Sequence, residues 1–404
     1  MRISEKQPML SFDQACETVL NAAGRLGTER VNILHQAVLN RVLAQDVVSD
    51  IDMPPFDKSA MDGFACRRAD LDKELTVIET IPAGSQPRNK IGPGQCARIM
   101  TGAVVPEGAD CVVMVEHTEN TAAERIRFTG TETEDNICLK GEDVSKGEVV
   151  LSAGQLIKAQ HIAVLASVGC FEPLVSVRPR VGIIATGDEL VAPDLKPGRG
   201  QIRNSNGYQL AAQAAGAGAT PTNYGIAEDK KDRINAALKR ALAENDVVLV
   251  SGGVSVGDYD FVRDVLRQNR VELLFEKVAV KPGRPAVFGI TKQPRRTYCF
   301  GLPGNPVSTF IMFELLIKPF LLKLMGHDFK PPVIYARLEK GITRKKADRT
   351  AWIPVVLTGD GKARRVEYHG SAHITALCAA EALLCFPAGV AELKKGQIVA
   401  LRRI

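Results

Sequence analysis

The alternation of strand-like and helix-like segments that begins at Val181 is the feature that most constrains the fold. The run Val181–Ala185 is almost continuously apolar, which is typical of a strand buried on both faces of a sheet. Helical spacing of apolar residues follows at Tyr208–Ala217 and Arg233–Ala243, and a second buried strand is expected at Val247–Val250. This alternation predicts a doubly wound α/β domain with a parallel sheet and helices on both faces.

The remainder of that domain is expected to hold two more strands and a long helix. Apolar runs at Ala286–Ile290 and Thr297–Phe300 predict the strands, and an apolar segment from about Pro306 to Met325 predicts the helix. A chain of 404 residues is too long for one core, and 45% hydrophobic with 24% charged residues argues against disorder. Several folded domains are therefore expected.

The flanking sequence predicts three further domains. Ser11 and Gln14 form a capping box that opens a helix, a second helix is predicted at about 31–45, and helical spacing returns at Ala159–Val168. Between these segments, short strand-like runs are separated by Gly and Pro, and strand-and-turn patterns resume after Gly326. We predict a split helical domain (1–50 and 150–178), an inserted mostly-β domain (51–149), the α/β domain (179–326) and a C-terminal β-barrel (327–404).

Three predicted strand ends of the α/β domain carry residues suited to ligand binding. Ligands of such sheets bind at the carboxyl edge, where loops and helix N-termini converge. Glycines and serines after a buried strand can form a nest of backbone N–H groups for phosphate, although a bare turn or an acidic helix cap would use the same residues. The candidate binding residues at these ends are Thr186, Gly187, Ser251, Gly252, Gly253, Ser255, Gly304, Asn305 and Ser308.

Charged residues lie close to the same strand ends. Lys277, Lys281 and Arg284 belong to a proline-flanked segment that would present cations in a stiff loop, or would form a solvated basic turn. Carboxylates near the edge suit Mg²⁺, which takes one or two of them together with phosphate oxygens and water. Neither a P-loop nor a strand-linked GxGxxG is present, so ordinary NTPases and dinucleotide enzymes are disfavoured. The acids are Asp188, Glu189, Asp229, Asp258 and Asp260.

Seven motifs in order resemble one known family. They are PPFDKSAMDGFA from Pro54, RIMTGA from Arg98, KGED from Lys140, TGDEL, SGGVSVGDYD, KPGRP and GLPGNPVS. The chain is identified by them as similar to the molybdopterin molybdenumtransferases, the MoeA family related to the E domain of gephyrin. The resemblance implies a homodimer with a central MogA-like molybdopterin-binding domain. It also implies insertion of molybdate into adenylylated molybdopterin with release of AMP.

The resemblance implies a role for individual residues. Asp188, Glu189, Asp229 and Asp260 match the Mg²⁺-associated acids, and Lys277, Lys281, Arg284 and Ser308 match residues around molybdate and phosphate. Asp62, Thr101 and Glu142 match residues that face the cleft, contributed across the dimer, and Ser371 matches an oxyanion-binding serine of the last domain.

Four positions depart from the pattern of the family. Arg284 replaces a common Lys, Lys58 replaces the usual Asn, and Asn204 stands where Asp is common. Pro354 aligns with an Arg that helps to hold the oxyanion in relatives. Either Arg349 compensates for that change or the molybdate subsite is altered.

The remaining features limit compartment and partners. A net charge of +6 is too mild to indicate nucleic-acid binding, and no apolar run reaches the roughly 18 residues of a membrane helix. Nine scattered cysteines without a CxxC pair indicate reduced thiols and a cytoplasmic protein. The family resemblance implies contacts with other molybdenum-cofactor biosynthesis proteins. Two alternatives stay open, a molybdopterin adenylyltransferase and a non-catalytic, gephyrin-like scaffold.

Overall fold

The computed structural model describes residues 9–34, 38–254, 261–293 and 295–404. The first helix, α1, spans Phe12–Ala22 and begins with the predicted capping box. The backbone N–H of Gln14 donates to Ser11 Oγ at 3.2 Å, and the Ser11 N–H donates to Gln14 Oε1 at 2.9 Å. Phe12, Ala15 and Val19 on its inner face pack into the core of the α/β domain. The helix therefore anchors the N-terminal segment to a domain that begins far along the chain.

The predicted helix at 31–45 is wrong for the residues that the structure describes there. Residues 31–34 and 38–45 form turns and isolated bridges instead. Asn40 has a φ of 59°, which a right-handed helix cannot include, and Leu34 and Leu39 are exposed. Apolar residues were spaced as in a helix, but Val42 and Leu43 make single bridges to other segments. The flanking strands are β1 (Thr28–Arg30) and β2 (Val47–Val48).

The inserted domain is mostly β, as predicted. Its six-stranded sheet has the order β7-β4-β6-β5-β9-β8, and β3 pairs with β10 beside it. Neighbouring residues of β4 alternate between the two faces, with Phe64 and Cys66 in one apolar cluster and Ala65 in the other. The strands are β3 (Lys58–Ser59), β4 (Gly63–Cys66), β5 (Glu74–Ile81), β6 (Gln95–Ile99), β7 (Cys111–Met114), β8 (Thr118–Ala122), β9 (Arg125–Phe128) and β10 (Ile137–Cys138).

After the inserted domain, the chain forms the second half of the split domain. Strand β11 (Val149–Leu151) pairs with β2, helix α2 spans Ala159–Ser167, and β12 (Leu174–Ser176) pairs with β1. Residues from both sides of the insert share one apolar cluster, in which Leu43 and Val47 lie with Leu165 and Val175. The two halves of the split unit thus form one core, although α1 packs elsewhere. The domain boundaries given above remain a prediction.

The α/β domain contains a six-stranded sheet with the order β16-β13-β17-β21-β20-β18. Strands β16, β13, β17 and β21 are parallel, whereas at one edge β20 runs antiparallel to β21 and β18 runs antiparallel to β20. Its elements are β13 (Arg180–Thr186), β14 (Leu190–Val191), β15 (Ile202–Arg203), α3 (Asn206–Gly216), β16 (Thr220–Ala227), α4 (Lys231–Glu244), β17 (Val247–Ser251), α5 (Val262–Gln268), β18 (Glu272–Phe275), β19 (Val280–Lys281), β20 (Val287–Thr291), β21 (Thr297–Leu302), α6 (Pro306–Met312) and α7 (Lys318–Leu324).

Helices cover both faces of this sheet, which confirms the doubly wound prediction. Ile183 and Leu249 face a cluster that includes residues of α1, α3, α6 and α7. Ile184 and Val248, one position along each strand, face residues of α4 and α5. The structure differs from the prediction in the antiparallel direction of β20 and in two further strands, β16 and β18, which were not predicted.

The long helix predicted from about Pro306 to Met325 is one helical run with a π-helical turn inside it. The π turn covers Phe313–Ile317 and separates α6 from α7. Pro319 follows two residues after the π turn and lacks an N–H, so a regular α-helix could not pass through it without losing a hydrogen bond. No helix in the described part of the chain is both long enough and apolar enough to cross a bilayer.

The C-terminal domain is the predicted barrel. Strand β24 pairs with both β25 and β26, so β24, β25, β22, β28 and β26 close on themselves. Strand β19 of the α/β domain joins β24 through the pairs Val280–Thr350 and Lys281–Ala351. The strands are β22 (Val333–Leu338), β23 (Ile342–Thr343), β24 (Thr350–Leu357), β25 (Lys362–Arg365), β26 (Ala382–Phe386), β27 (Glu392–Leu393) and β28 (Ile398–Arg403).

Candidate functional site

A cavity of about 710 Å³ lies at the carboxyl edge of the four parallel strands. Each of these strands is followed by a residue that lines it: Glu189 after β13, Asp229 after β16, Gly252 after β17 and Gly304 after β21. The volume suits a small-molecule ligand. The predicted residues that line it are Thr186, Glu189, Asp229, Ser251, Gly252, Gly253, Gly304 and Asn305.

Two glycines of this cavity are required by the close approach of two chain segments. Gly252 has a φ of 97° and Gly253 a φ of 62°, both in the region that favours glycine. A Cβ at Gly252 would lie 2.4 Å from the carbonyl oxygen of Thr186, which belongs to the neighbouring strand. The backbone after β17 therefore packs directly against the end of β13, with no room for a side chain at Gly252.

Asn206, at the start of α3, links the end of β17 to the segment after β21 by hydrogen bonds. Its Nδ2 donates to Ser251 Oγ and to the carbonyl oxygen of Gly304, both at 2.8 Å. The hydroxyl of Ser251 in turn donates to the Pro303 carbonyl at 3.3 Å. Sequence reasoning missed Asn206, because a polar residue at the start of a helix is typical of an ordinary cap.

Two buried polar atoms of the cavity wall have no hydrogen-bond partner among the described residues. They are Thr186 Oγ1 and Asn206 Oδ1. Thr186 is 4% exposed and Asn206 is 8% exposed, so bulk water hardly reaches them. Buried polar atoms in folded proteins are nearly always hydrogen-bonded, which indicates that a ligand or bound water completes this wall.

The acidic residues are only partly brought together. The N–H of Asp229 donates to Asp188 Oδ1 at 2.9 Å, and Asp229 and Glu189 line the cavity. Asp260, together with Asp258 and Ser255, lies outside the described residues. Within the described ranges, no group of three His, Cys, Asp or Glu could hold a metal ion.

The donor set nevertheless fits Mg²⁺ held with a phosphate-bearing ligand. Mg²⁺ usually takes one or two carboxylates and completes its shell with phosphate oxygens and water, so Glu189 and Asp229 would suffice from this part of the chain. Glu189 and Asp229 would leave the other coordination positions of the ion to phosphate oxygens and water.

A second cavity, of about 450 Å³, lies where β19 joins the barrel. Lys281 and Arg349 line it together, and Arg349 Nε lies 3.5 Å from Asp348 Oδ2. Arg344 also lines it, but its guanidinium donates to three backbone carbonyls and serves the loop itself. Pro354 lines neither cavity. The remaining cations of its wall are Lys345, Lys346 and Arg365.

Several predicted residues do not line the large cavity. Lys277 and Arg284 flank strand β19, and Pro285, next to Arg284, does line the cavity. Ser308 is buried within α6, and Gly187 is buried beside Glu189. The carbonyl of Ser371 accepts a hydrogen bond from the N–H of Val307 at 3.0 Å. That contact holds the segment that contributes Ala372 and Ile374 to the cavity wall.

The residues predicted from the inserted domain form a separate group. The N–H and the hydroxyl of Thr101 donate to Asp62 Oδ1 at 2.7 and 2.6 Å. These hydrogen bonds, led by the hydroxyl, hold the pKa of Asp62 below its ordinary value. Glu142 Oε2 accepts from the N–H of Leu139 at 2.8 Å. None of the three lines the described cavity of its own chain.

Comparison with known families agrees with this architecture along almost the whole chain. Residues 10–169 match the MoeA N-terminal region (domain I and II), and residues 182–323 match a probable molybdopterin binding domain. Residues 335–402 match the MoeA C-terminal region (domain IV). The fold and the cavity thus define a multidomain protein built around a molybdopterin-binding α/β domain.

Individual relatives narrow this class. The molybdopterin molybdenumtransferase of Staphylococcus epidermidis is 36% identical, over 98% of this chain and 96% of its own, and that of Staphylococcus aureus MRSA252 is 35% identical over the same shares. The crystal structure of the molybdopterin biosynthesis moeA protein from Pyrococcus horikoshii OT3 is 31% identical, with a TM-score of 0.84 over 98% of this chain and 100% of its own. The chain belongs to the MoeA family of molybdopterin molybdenumtransferases.

Proposed function

We propose that the chain is a molybdopterin molybdenumtransferase that inserts molybdate into adenylylated molybdopterin and releases AMP. The observation that carries this proposal is the cavity at which four strand ends place two carboxylates and the glycine backbone of Gly252, Gly253 and Gly304. Its 710 Å³ can hold a nucleotide-linked pterin, and Gly252, Gly253 and Gly304, which carry no side chain, would let phosphates approach the backbone closely.

The reaction depends mainly on positioning and charge. Glu189 and Asp229 would hold Mg²⁺ beside the phosphoanhydride, where the ion supplies charge stabilisation as AMP leaves. The rigid backbone after β17 and β21 keeps the phosphate oriented, because Asn206 links Ser251 to Gly304. The adenylyltransferase alternative would use the α/β domain alone, whereas this chain adds an insert and a barrel that carries the second cavity.

Molybdate is handled, in this proposal, by the cations of the second cavity. Molybdate is a tetrahedral dianion, and Lys281 and Arg349 lie in one cavity wall beside the loop that continues to Pro285 at the nucleotide cavity. This arrangement favours Arg349 as the cation that compensates for Pro354. Hydrolysis of the activated bond to AMP then drives transfer of the metal to the pterin sulfurs.

Substitution of Lys281 by alanine is expected to raise the molybdate concentration needed for half-maximal turnover about tenfold, because one charge-assisted contact is lost. Pterin binding should weaken much less, since Lys281 does not line the large cavity. Titrations of molybdate and of pterin nucleotide against AMP release check this expectation. Lys281→Arg, which keeps the charge, is the matched control, and an equal loss for both substrates would contradict the assignment.

The function itself is tested by incubating the purified protein with adenylylated molybdopterin, molybdate and Mg²⁺. Release of AMP together with formation of active cofactor is the expected result. If the protein instead accumulates adenylylated pterin from molybdopterin and ATP without molybdate, the adenylyltransferase alternative holds. If neither reaction occurs while pterin still binds, the protein is a scaffold.

We also propose that the chain acts as a homodimer whose sites are shared. Asp62, Thr101 and Glu142 match residues that face the cleft, yet none lines the cavity of its own chain in the described part. Two copies related by a two-fold axis would let each insert serve the partner's cavity. We further propose a cytoplasmic location and contacts with other molybdenum-cofactor proteins. The nine free cysteines support the location, because thiols stay reduced in such a compartment.

Complementation between two inactive variants is expected if the site is shared. Asp62→Ala and Asp229→Asn, produced together, should recover about a quarter of the AMP release of the unchanged protein, because half the dimers then hold one intact site of two. AMP release by the mixture, beside each variant alone, is the measurement. A mass twice that of the chain with no recovery would mean that each site is built from one chain.

A further inference from the structure

The side-chain amide of Asn206 is held in one orientation. Both of its donor contacts are taken up, because Nδ2 donates to Ser251 Oγ and to the Gly304 carbonyl at 2.8 Å. Rotating the amide by half a turn would bring Oδ1 against the Gly304 carbonyl and leave two acceptors facing each other. Oδ1 is therefore the end of the amide that is left for a further contact, in a residue that lines the cavity.

That oxygen is buried and has no partner among the described residues. Asn206 is 8% exposed and lines the 710 Å³ cavity. The neighbouring Thr186 Oγ1 is in the same condition. A fixed, desolvated acceptor is unfavourable in an otherwise well-bonded wall unless a donor reaches it when the cavity is filled.

We infer that Asn206 Oδ1 is a specificity-determining acceptor for an exocyclic amine on the heterocycle of the ligand. The inference rests on the proposed function, in which the ligand carries two heterocycles that each bear such an amine, the pterin and the adenine. An amine at the ring edge donates and an oxo group there only accepts, so the locked amide accepts the first and repels the second. A site built this way rejects an analogue strongly, because its own buried oxygen is then left unpaired.

Matched ligand pairs test the inference with the full-length protein. The first pair is AMP and purine riboside 5′-monophosphate, which lacks the amine; the second is pterin-6-carboxylate and lumazine-6-carboxylate, in which an oxo group replaces it. Calorimetric titration should show roughly tenfold or greater weakening within one pair and little change within the other. The pair that discriminates identifies which heterocycle meets Asn206.

The variant Asn206→Ala then separates recognition from structure. Alanine should abolish the discrimination within that pair, because the amine-bearing ligand loses its partner while the analogue had none to lose. A purely structural role would weaken both members by the same factor and keep their ratio, and that result would overturn the inference.

The unchanged protein alone also decides the matter if the variants do not fold. Binding of all four ligands without discrimination in either pair would overturn the inference and leave the proposed function intact. Failure of all four to bind would contradict the proposed function at this cavity, and the inference with it.

Discussion

Alanine at position 252 is expected to destabilise the protein by about 2–4 kcal/mol and to abolish binding of pterin nucleotide. The new Cβ would lie 2.4 Å from the backbone oxygen of Thr186, and Gly252 has a φ of 97°. Because the obstructing atom belongs to strand β13, the clash cannot be relieved by rotating a side chain. Strands β13 and β17 would have to separate at the floor of the cavity. Thermal or chemical unfolding, with nucleotide titration, measures both effects.

Gly304→Ala is the matched control for this substitution. Gly304 lines the same cavity, but the nearest atom to its added Cβ is the Gly252 Cα at 3.9 Å. The unfolding free energy of this variant should therefore stay close to that of the unchanged protein. If the two alanine variants unfold alike, Gly252 is not required by the approach of the two strands.

The parts of the fold that could be predicted from the sequence are those whose signal is local. Strands β13 and β17 are buried on both faces, so apolar residues alone mark them. The capping box at Ser11 is written in four consecutive residues and forms as expected. Each of these elements needs no distant partner to be recognised.

Elements that depend on distant partners were not predictable in the same way. Apolar residues at 31–45 have helical spacing, yet Val42 and Leu43 are buried and make bridges to Leu156 and Val175, which lie beyond the insert. Strand direction has no local signature either, so the antiparallel pairing of β20 with β21 could not be predicted from their short apolar runs. Tertiary pairing overrides helical spacing and strand pattern there.

The candidate site follows the same division. Thr186 and Ser251 end parallel strands and Gly304 lies two residues after one, and the rule that such ends meet at one edge correctly predicted that they lie together. Lys281 was expected at the same place, but its strand pairs with β24 of the barrel and brings it to the second cavity. That pairing joins two domains, and no sequence motif around Lys281 indicates it.

Asp229→Asn is expected to slow AMP release by roughly 100-fold without unfolding the protein. Asp229 follows β16, lines the cavity, and is fixed in place because its N–H donates to Asp188 Oδ1. Asparagine keeps the size and that backbone contact but removes the negative charge that would hold Mg²⁺ beside the phosphates. Single-turnover release of AMP from adenylylated molybdopterin measures the effect, with melting temperature as the check on folding.

Asp232→Asn makes the same chemical change three residues further on, at an exposed position in the first turn of α4 that does not line the cavity. It should release AMP at the unchanged rate, because its carboxylate cannot reach the ligand. Raising the Mg²⁺ concentration should restore part of the lost rate of Asp229→Asn, since a weakened site fills by mass action. An Asp229→Asn variant that turns over normally at low Mg²⁺ would remove this residue from the acidic set and leave Glu189 as the only carboxylate that the described cavity offers to the metal.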